Sequence, residues 1–142
     1  MEVKIEDVLS KLRQTGLKRT QARRAILNVL VEEHGPFSSE EIYQRLKSHG
    51  CDLVTIYRNV ISLEKVGLLK SCDFGDRIKR YELLDESYKH QHIACKVCGK
   101  IDTVNYALPK SVLSVLRKKG YAEVEAKLEF VGVCPDCAAT TH

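Results

Sequence analysis

Four cysteines in the C-terminal half form two pairs with the spacing of metal ligands. Cys95 is paired with Cys98, and Cys134 with Cys137, each with two residues between the thiols. Two thiolates on one tight turn can bind a single ion, and two such turns complete the tetrahedron that Zn²⁺ adopts in structural sites. The sequence therefore predicts one structural Zn²⁺ per chain. The alternative is a redox dithiol, which would need only one pair near the start of a helix.

The two pairs lie farther apart than those of a compact zinc ribbon. A zinc ion bound by both would join the beginning of a small α/β domain to its end. Its binding free energy would then contribute directly to folding. Nothing in the pattern suggests an open coordination position for a substrate.

A second candidate metal site lies just before the first cysteine pair. His90 and His92 project from the same side of an extended segment, and Glu82 on the preceding predicted strand can add a carboxylate. Such nitrogen and oxygen donors suit a divalent ion such as Fe²⁺, Mn²⁺ or Zn²⁺. A pair of exposed histidines without a metal is the alternative interpretation.

Two further cysteines stand outside these patterns. Cys51 precedes a predicted helix and is interpreted as a small buried residue. Cys72, one strand away from Glu82, is also predicted to be buried. A soft metal ligand, which would favour zinc, or a thiol switch is the second hypothesis for Cys72.

The placement of charge indicates a polyanionic partner. The net charge is +4, and residues 8–31 contain six basic residues and no acidic one. Such a block is typical of DNA-binding segments, although a solvated helix face would give the same pattern. Within it, Arg19 and Arg23 are predicted to contact DNA phosphates.

Apolar periodicity predicts four helices and a β-hairpin in the first half of the chain. The helices cover residues 5–14, a segment capped by Thr20, a segment after a Ser38–Glu41 capping box, and residues 52–66. Strands 68–73 and 79–83 follow. This order is typical of a winged helix, whose fourth helix would enter the DNA major groove with Thr55, Tyr57 and Arg58 on its outer sides.

The second half is predicted to be a small α/β domain. Strands are expected at 92–95 and 101–105, then a helix from Pro109 to Gly120, then a half-buried antiparallel strand over 123–130. The fold class is thus α+β, with a DNA-binding domain at 1–84, a hinge at 85–89 and a metal-binding α/β domain at 90–142. No apolar run suits a membrane span or a signal peptide, so we expect a cytoplasmic protein without a membrane partner.

Several motifs together resemble the ferric uptake regulator family of metal-sensing bacterial repressors, over essentially the whole chain. They are Gly16-Leu-Lys-Arg-Thr-Gln-Ala-Arg23, Ser39-Glu-Glu-Ile-Tyr43, Thr55-Ile-Tyr-Arg58, Tyr81-Glu82-Leu83, His90-Gln-His92-Ile-Ala-Cys95-Lys-Val-Cys98-Gly-Lys100 and Phe130-Val-Gly-Val-Cys134-Pro-Asp-Cys137. The resemblance implies a homodimer that binds double-stranded operator DNA, with residues 90–142 as its dimerisation domain. It also implies a regulatory metal site between the two domains, which closes the dimer onto DNA when filled.

The resemblance also assigns ligands to that regulatory site, and two of them are missing here. Glu82, His90 and His92 match the family, but Pro36 and Thr103 stand where a histidine and an acid are expected. His34 and Asp102 are the nearest substitutes for these two positions. A further family site is expected to be absent, because Lys89 and Gln91 occupy its ligand positions.

These observations predict a metal-responsive transcriptional repressor that is not an enzyme. One alternative is a metal-independent DNA-binding member of the family with a degenerate sensor site. The other is a zinc hydrolase that uses Glu82, His90 and His92, although the sequence offers no identifiable general base for such a reaction.

Overall fold

The computed structural model describes residues 3–84 and 90–140, without the side chain of His90. The predicted hinge at 85–89 lies outside the described residues. The chain forms two compact units, Met1–Ser87 and Tyr88–His142.

The first unit contains four helices at the positions that periodicity predicts. They are α1 (Ile5–Gln14), α2 (Gln21–Glu33), α3 (Ser39–Leu46) and α4 (Leu53–Lys65). A short 3₁₀ turn, Lys47–His49, extends α3 as far as Gly50. Gly50 has a φ of 84°, a left-handed conformation that glycine adopts without steric cost.

Side-chain caps fix where three of these helices begin. Thr20 accepts a hydrogen bond from the backbone N–H of Arg23, and the predicted capping box between Ser38 and Glu41 is present. Asp52 caps α4 by accepting from the backbone N–H of Thr55, a role that the sequence analysis did not assign. Hydrogen bonds from Thr55 hold the pKa of this carboxyl below its usual value.

The helices enclose one apolar core. Leu12, Ile26, Leu30, Ile42 and Ile56 are all completely buried in it. The apolar spacing of α4 predicts that Leu53 faces the core together with Ile56 and Val60, and this is wrong for Leu53, which is 38% exposed. Leu53 is the first residue of the helix, and there its side chain extends past the edge of the core.

Three strands complete the first unit, in the order β1 (Phe37–Ser38), β3 (Arg80–Leu83) and β2 (Leu69–Cys72). The two predicted strands form the antiparallel hairpin of the wing. Strand β1 was not predicted, because two residues are too short to show alternation. It becomes a strand only because β3 offers it a pairing edge.

The two faces of this sheet differ in chemistry. Leu69 and Tyr81 are buried in the helical core. Lys70 pairs with Glu82, and Cys72 with Arg80, so these four side chains lie on the opposite face, as strand alternation requires. The wing therefore contacts the core through one face and carries ionisable groups on the other.

The second unit has a three-stranded sheet in the order β5 (Ile101–Asn105), β4 (His90–Cys95), β6 (Glu129–Gly132). Strand β4 is antiparallel to β5 and parallel to β6. The prediction of an antiparallel strand over 123–130 is therefore wrong in extent and in direction. The chain crosses over through α5 (Lys110–Lys118) before it returns to the sheet, and such a crossover is the usual link between parallel strands.

Helix α5 is amphipathic but buries none of its residues within the chain. Val112 and Val115 are 42% and 55% exposed. Apolar spacing in this helix predicts that the two side chains pack in the core of the second unit, and within the chain they do not. A last helix, α6 (Pro135–Thr140), follows β6. No helix within residues 3–84 and 90–140 is long and apolar enough to cross a membrane.

The capping box of α3 provides a test of the first unit. Ser38→Ala should lower the free energy of unfolding by about 1 kcal/mol, because the N–H of Glu41 loses its acceptor. Denaturant unfolding measures this difference. Ser39→Ala, one residue inside the helix, is the matched control and should change stability much less. Equal effects of the two substitutions would contradict the capping role.

Candidate metal centres and DNA-binding surface

The four predicted zinc ligands converge in the second unit. The sulfur atoms of Cys95, Cys98, Cys134 and Cys137 all lie within 4.8 Å of one another. Cys95 ends β4, Cys98 lies in the turn that follows, Cys134 follows β6, and Cys137 lies in the first turn of α6. The Sγ atoms of Cys98 and Cys134 are 3.8 Å apart. The cluster thus joins the ends of two neighbouring strands.

Backbone N–H groups point at these sulfurs. The Sγ of Cys95 accepts from the backbone N of Val97, Cys98 and Cys134 at 3.3–3.4 Å. The hydrogen bonds from Cys98 and Cys134 lower the pKa of the Cys95 thiol to about 6. Both turns therefore stabilise thiolate, which is the form that binds a metal.

Four thiolates cannot share so small a volume without a cation. The pKa of Cys137 is raised to about 12, chiefly by its hydrogen bond to Cys134 and then by burial. A divalent cation at the centre would offset the repulsion among four negatively charged sulfur atoms. Four sulfur donors in a closed cluster match a structural zinc site, so the residues present fit the predicted ion.

Glu82 lies on the face of the wing opposite the core. Its side chain is only 2% exposed, and its carboxylate is 3.0 Å from the ammonium of Lys70. The Sγ of Cys72, which is also buried, lies 3.9 Å from Oε1 of Glu82. A buried carboxylate requires a countercharge, and Lys70 supplies it here. The first unit therefore places a thiol and a carboxylate together, as two potential ligands.

In the second unit, strand register separates the residues around His92. His92 lies opposite Thr103 on β5, whereas Asp102 lies opposite Ile93. Side chains of paired residues share a face of the sheet, so Asp102 lies on the face away from His92. Glu129 on β6, which no sequence pattern indicated as a neighbour of His92, pairs with it from the other side of β4. Only the strand order could reveal that neighbour.

His34, one of the predicted substitute ligands, is the C-cap of α2 and has an exposed side chain. The side chain of His90 lies outside the described residues.

The predicted DNA-reading residues occupy the accessible side of α4. Tyr57 is 56% exposed and Arg58 is exposed, whereas Ile56 between Thr55 and Tyr57 is fully buried. Arg19 is exposed in the turn before α2. An open groove between α3, α4 and the wing is lined by Leu53, Val54, Tyr57, Arg77, Ile78 and Lys79, among others.

Arg23 is held differently from Arg19. Its Nε donates to Oδ1 of Asn59 at 2.9 Å, and a terminal guanidinium nitrogen donates to the carbonyl of Lys18 at 2.8 Å. The Arg23 guanidinium is therefore hydrogen-bonded within the protein. This contact between α2 and α4 had no signal in the sequence.

Comparison with known proteins decides the family. The model of the ferric uptake regulator family matches residues 14–131. This chain belongs to that family. The resemblance inferred from the motifs is thereby confirmed, and the prediction of a metal-responsive repressor is supported over its alternatives.

The proteins to which this chain is similar are named for different signals. A peroxide-responsive repressor, PerR, of Staphylococcus aureus is 30% identical over 140 residues, covering 96% of this chain and 93% of that protein. The structure of the Helicobacter pylori ferric uptake regulator, described as having three functional metal-binding sites, is 25% identical with a TM-score of 0.77 and covers 99% of this chain and 98% of that one. A zinc-bound manganese uptake regulator is 28% identical with a TM-score of 0.62, covering 89% and 98%. These proteins are named as regulators, and the family to which this chain belongs is a family of regulators.

The cysteine cluster gives a direct test of zinc binding. Cys134→Ser should reduce the zinc content from about one ion per chain to none and should unfold the second unit, because metal binding and folding are coupled. Elemental analysis and circular dichroism measure the two effects. Cys51→Ser is the matched control, since Cys51 lies outside the cluster, and it should retain zinc. A well-folded, zinc-free Cys134→Ser protein would refute the structural role.

Proposed function

We propose that this protein is a homodimeric, metal-responsive repressor in which a divalent ion bound at the wing controls how the DNA-binding helix is presented. The observation that carries the proposal is the two-faced wing sheet. One face packs Leu69 and Tyr81 into the core that also contains Ile56 of α4. The other face carries the Glu82 carboxylate. An ion held at Glu82 would therefore act on the same rigid unit that carries the recognition helix.

DNA is the proposed partner of the first unit. Tyr57 and Arg58 extend from α4, where arginine can read guanine through two hydrogen bonds and an apolar surface can contact a thymine methyl group. Thr55 lies one turn from Arg58 on the same helix. Arg19 would contact the phosphate backbone, whose contribution to affinity does not depend on sequence. The groove with both basic and apolar lining residues supports this arrangement.

A second copy of the chain is the proposed partner of the second unit. Val112 and Val115 on α5, together with Val131 and Val133 near β6, are each more than 40% exposed. An amphipathic helix must bury its apolar side against another surface, and β6 is at an edge of the sheet. Dimerisation would cover both features.

Zn²⁺ is the proposed occupant of the cysteine cluster. Cys95 and Cys98 would bind it from one turn, and Cys134 and Cys137 from the other. The ion would supply the positive charge that lets all four sulfurs ionise. By joining the ends of β4 and β6, the thiolates would hold the sheet on which the dimer interface depends.

The proposed regulatory site uses Glu82, His90 and His92, with Cys72 as an added ligand. Cys72 is favoured over His34 and Asp102, because its sulfur already lies 3.9 Å from the Glu82 carboxylate. Thiolate is a soft donor and would shift the preference of the site from Mn²⁺ towards Zn²⁺. A cation that binds Glu82 would also replace Lys70 as the countercharge.

The recognition helix can be tested by separating base reading from phosphate binding. Arg58→Ala should cost about 1–3 kcal/mol of discrimination at one base position. Arg19→Ala should weaken binding to all sequences and reduce the slope of log affinity against log salt concentration by about one. Fluorescence anisotropy with duplexes selected by the wild-type protein measures both effects. Unchanged base preference in Arg58→Ala would show that α4 does not read DNA through this residue.

The regulatory site can be tested through His92. His92→Ala should abolish metal-stimulated DNA binding and retain the clustered zinc, because it removes one imidazole ligand outside the four cysteines. His49→Ala, an exposed histidine elsewhere, should behave as wild type. The proposal is falsified if His92→Ala keeps the full metal response.

A further inference from the structure

A chain of hydrogen bonds links the basic turn before α2 to the recognition helix. Arg23 occupies its centre. Its guanidinium donates to the carbonyl of Lys18 at 2.8 Å and to Oδ1 of Asn59 at 2.9 Å. The amide of Asn59 in turn donates to the carbonyl of Thr55 at 2.8 Å. Arg23 and Asn59 lie 36 positions apart in the sequence.

The two ends of this chain carry the proposed DNA contacts. Lys18 precedes Arg19, the proposed phosphate ligand, and Asn59 follows Arg58, the proposed base reader. A base contact requires a side chain to be placed to within a fraction of an ångström, and phosphate contacts set the register of the protein on the duplex. A rigid link between the two segments would fix one relative to the other.

We propose that Arg23 is a positioning residue, which holds the phosphate-binding turn and the recognition helix in one register and does not itself neutralise a phosphate. The proposal rests on the DNA-binding function proposed above. It differs from the interpretation of Arg23 drawn from sequence, which counted Arg23 together with Arg19 as a phosphate contact. Arginine suits the positioning role because its planar group donates in several fixed directions.

The side-chain geometry of glutamine permits a sharp test. Its amide nitrogen occupies the same position along the side chain as Nε of arginine. Arg23→Gln can therefore keep the hydrogen bond to Asn59 while it removes the positive charge. Arg23→Ala removes both, and Asn59→Ala removes only the partner. Arg24→Ala is the matched control, because Arg24 is an exposed neighbour on the same helix.

The probes are a duplex selected by the metal-loaded wild-type protein from a random pool and an unselected duplex of equal length. Affinity for each is measured over a range of salt concentrations. Arg23→Ala and Asn59→Ala should each weaken binding to the selected duplex about tenfold, and the double variant should be no weaker than either, as for residues that act as a unit. Arg23→Gln should bind the selected duplex more tightly than Arg23→Ala does, because it can keep the hydrogen bond to Asn59 and loses only the one to Lys18. All these variants should keep the wild-type salt slope.

A direct phosphate contact by Arg23 predicts a different pattern of results. If Arg23 neutralises a phosphate, Arg23→Gln and Arg23→Ala will both reduce the salt slope by about one, and Asn59→Ala will bind as wild type. That pattern overturns the positioning role. If the wild-type protein enriches no duplex from the pool, the proposed DNA-binding function fails, and this outcome is distinct from a failure of the positioning role. A merely structural defect would weaken binding to the selected and unselected duplexes alike, whereas the positioning role predicts that the loss is confined to the selected duplex.

Discussion

The second unit depends on the convergence of four cysteine sulfurs. Among its described residues only His92, Ala94 and Cys95 are buried, so it lacks the apolar core that stabilises the first unit. Domains of this size rarely fold on such a core unless a metal or a partner adds stability. A metal ion held by these four sulfurs would join β4 to the segment after β6. It would thereby close the sheet and leave α5 and β6 able to present apolar side chains to a second chain.

The first unit meets a different constraint, which is the burial of a carboxylate. Glu82 is almost fully buried on the wing and needs a cation nearby, because an isolated buried charge is strongly unfavourable. Lys70 provides one in the chain alone. The same requirement makes the position suitable for a divalent ion, since the ligand is already desolvated and oriented. A regulatory site can therefore exist on a sheet whose other face is an ordinary part of the apolar core.

The basic residues of α2 and its preceding turn do not form one uniform surface. Arg19 and Arg24 are exposed, whereas Arg23 is half-buried and bonded to α4. Formal charge alone treats these three residues alike. The environments of Arg23 and Arg24 differ because a helix turns about 100° per residue, which directs neighbouring side chains towards solvent or towards a neighbouring helix.

The sequence by itself determined helices α1 to α5, the wing hairpin, the caps at Thr20 and Ser38, and the cysteine pairs. These features follow from local periodicity, capping chemistry and ligand spacing, so a single segment is enough to specify each one. Tertiary structure alone decided the strand β1, the parallel pairing of β6, the neighbours of His92, and the contact between Arg23 and Asn59. Each of these depends on segments that are distant in the chain, and no local pattern records which edge or side chain a segment will meet. Cys72 illustrates the difference: its type allowed several roles, and only the pairing of β2 with β3 placed its thiol beside the Glu82 carboxylate.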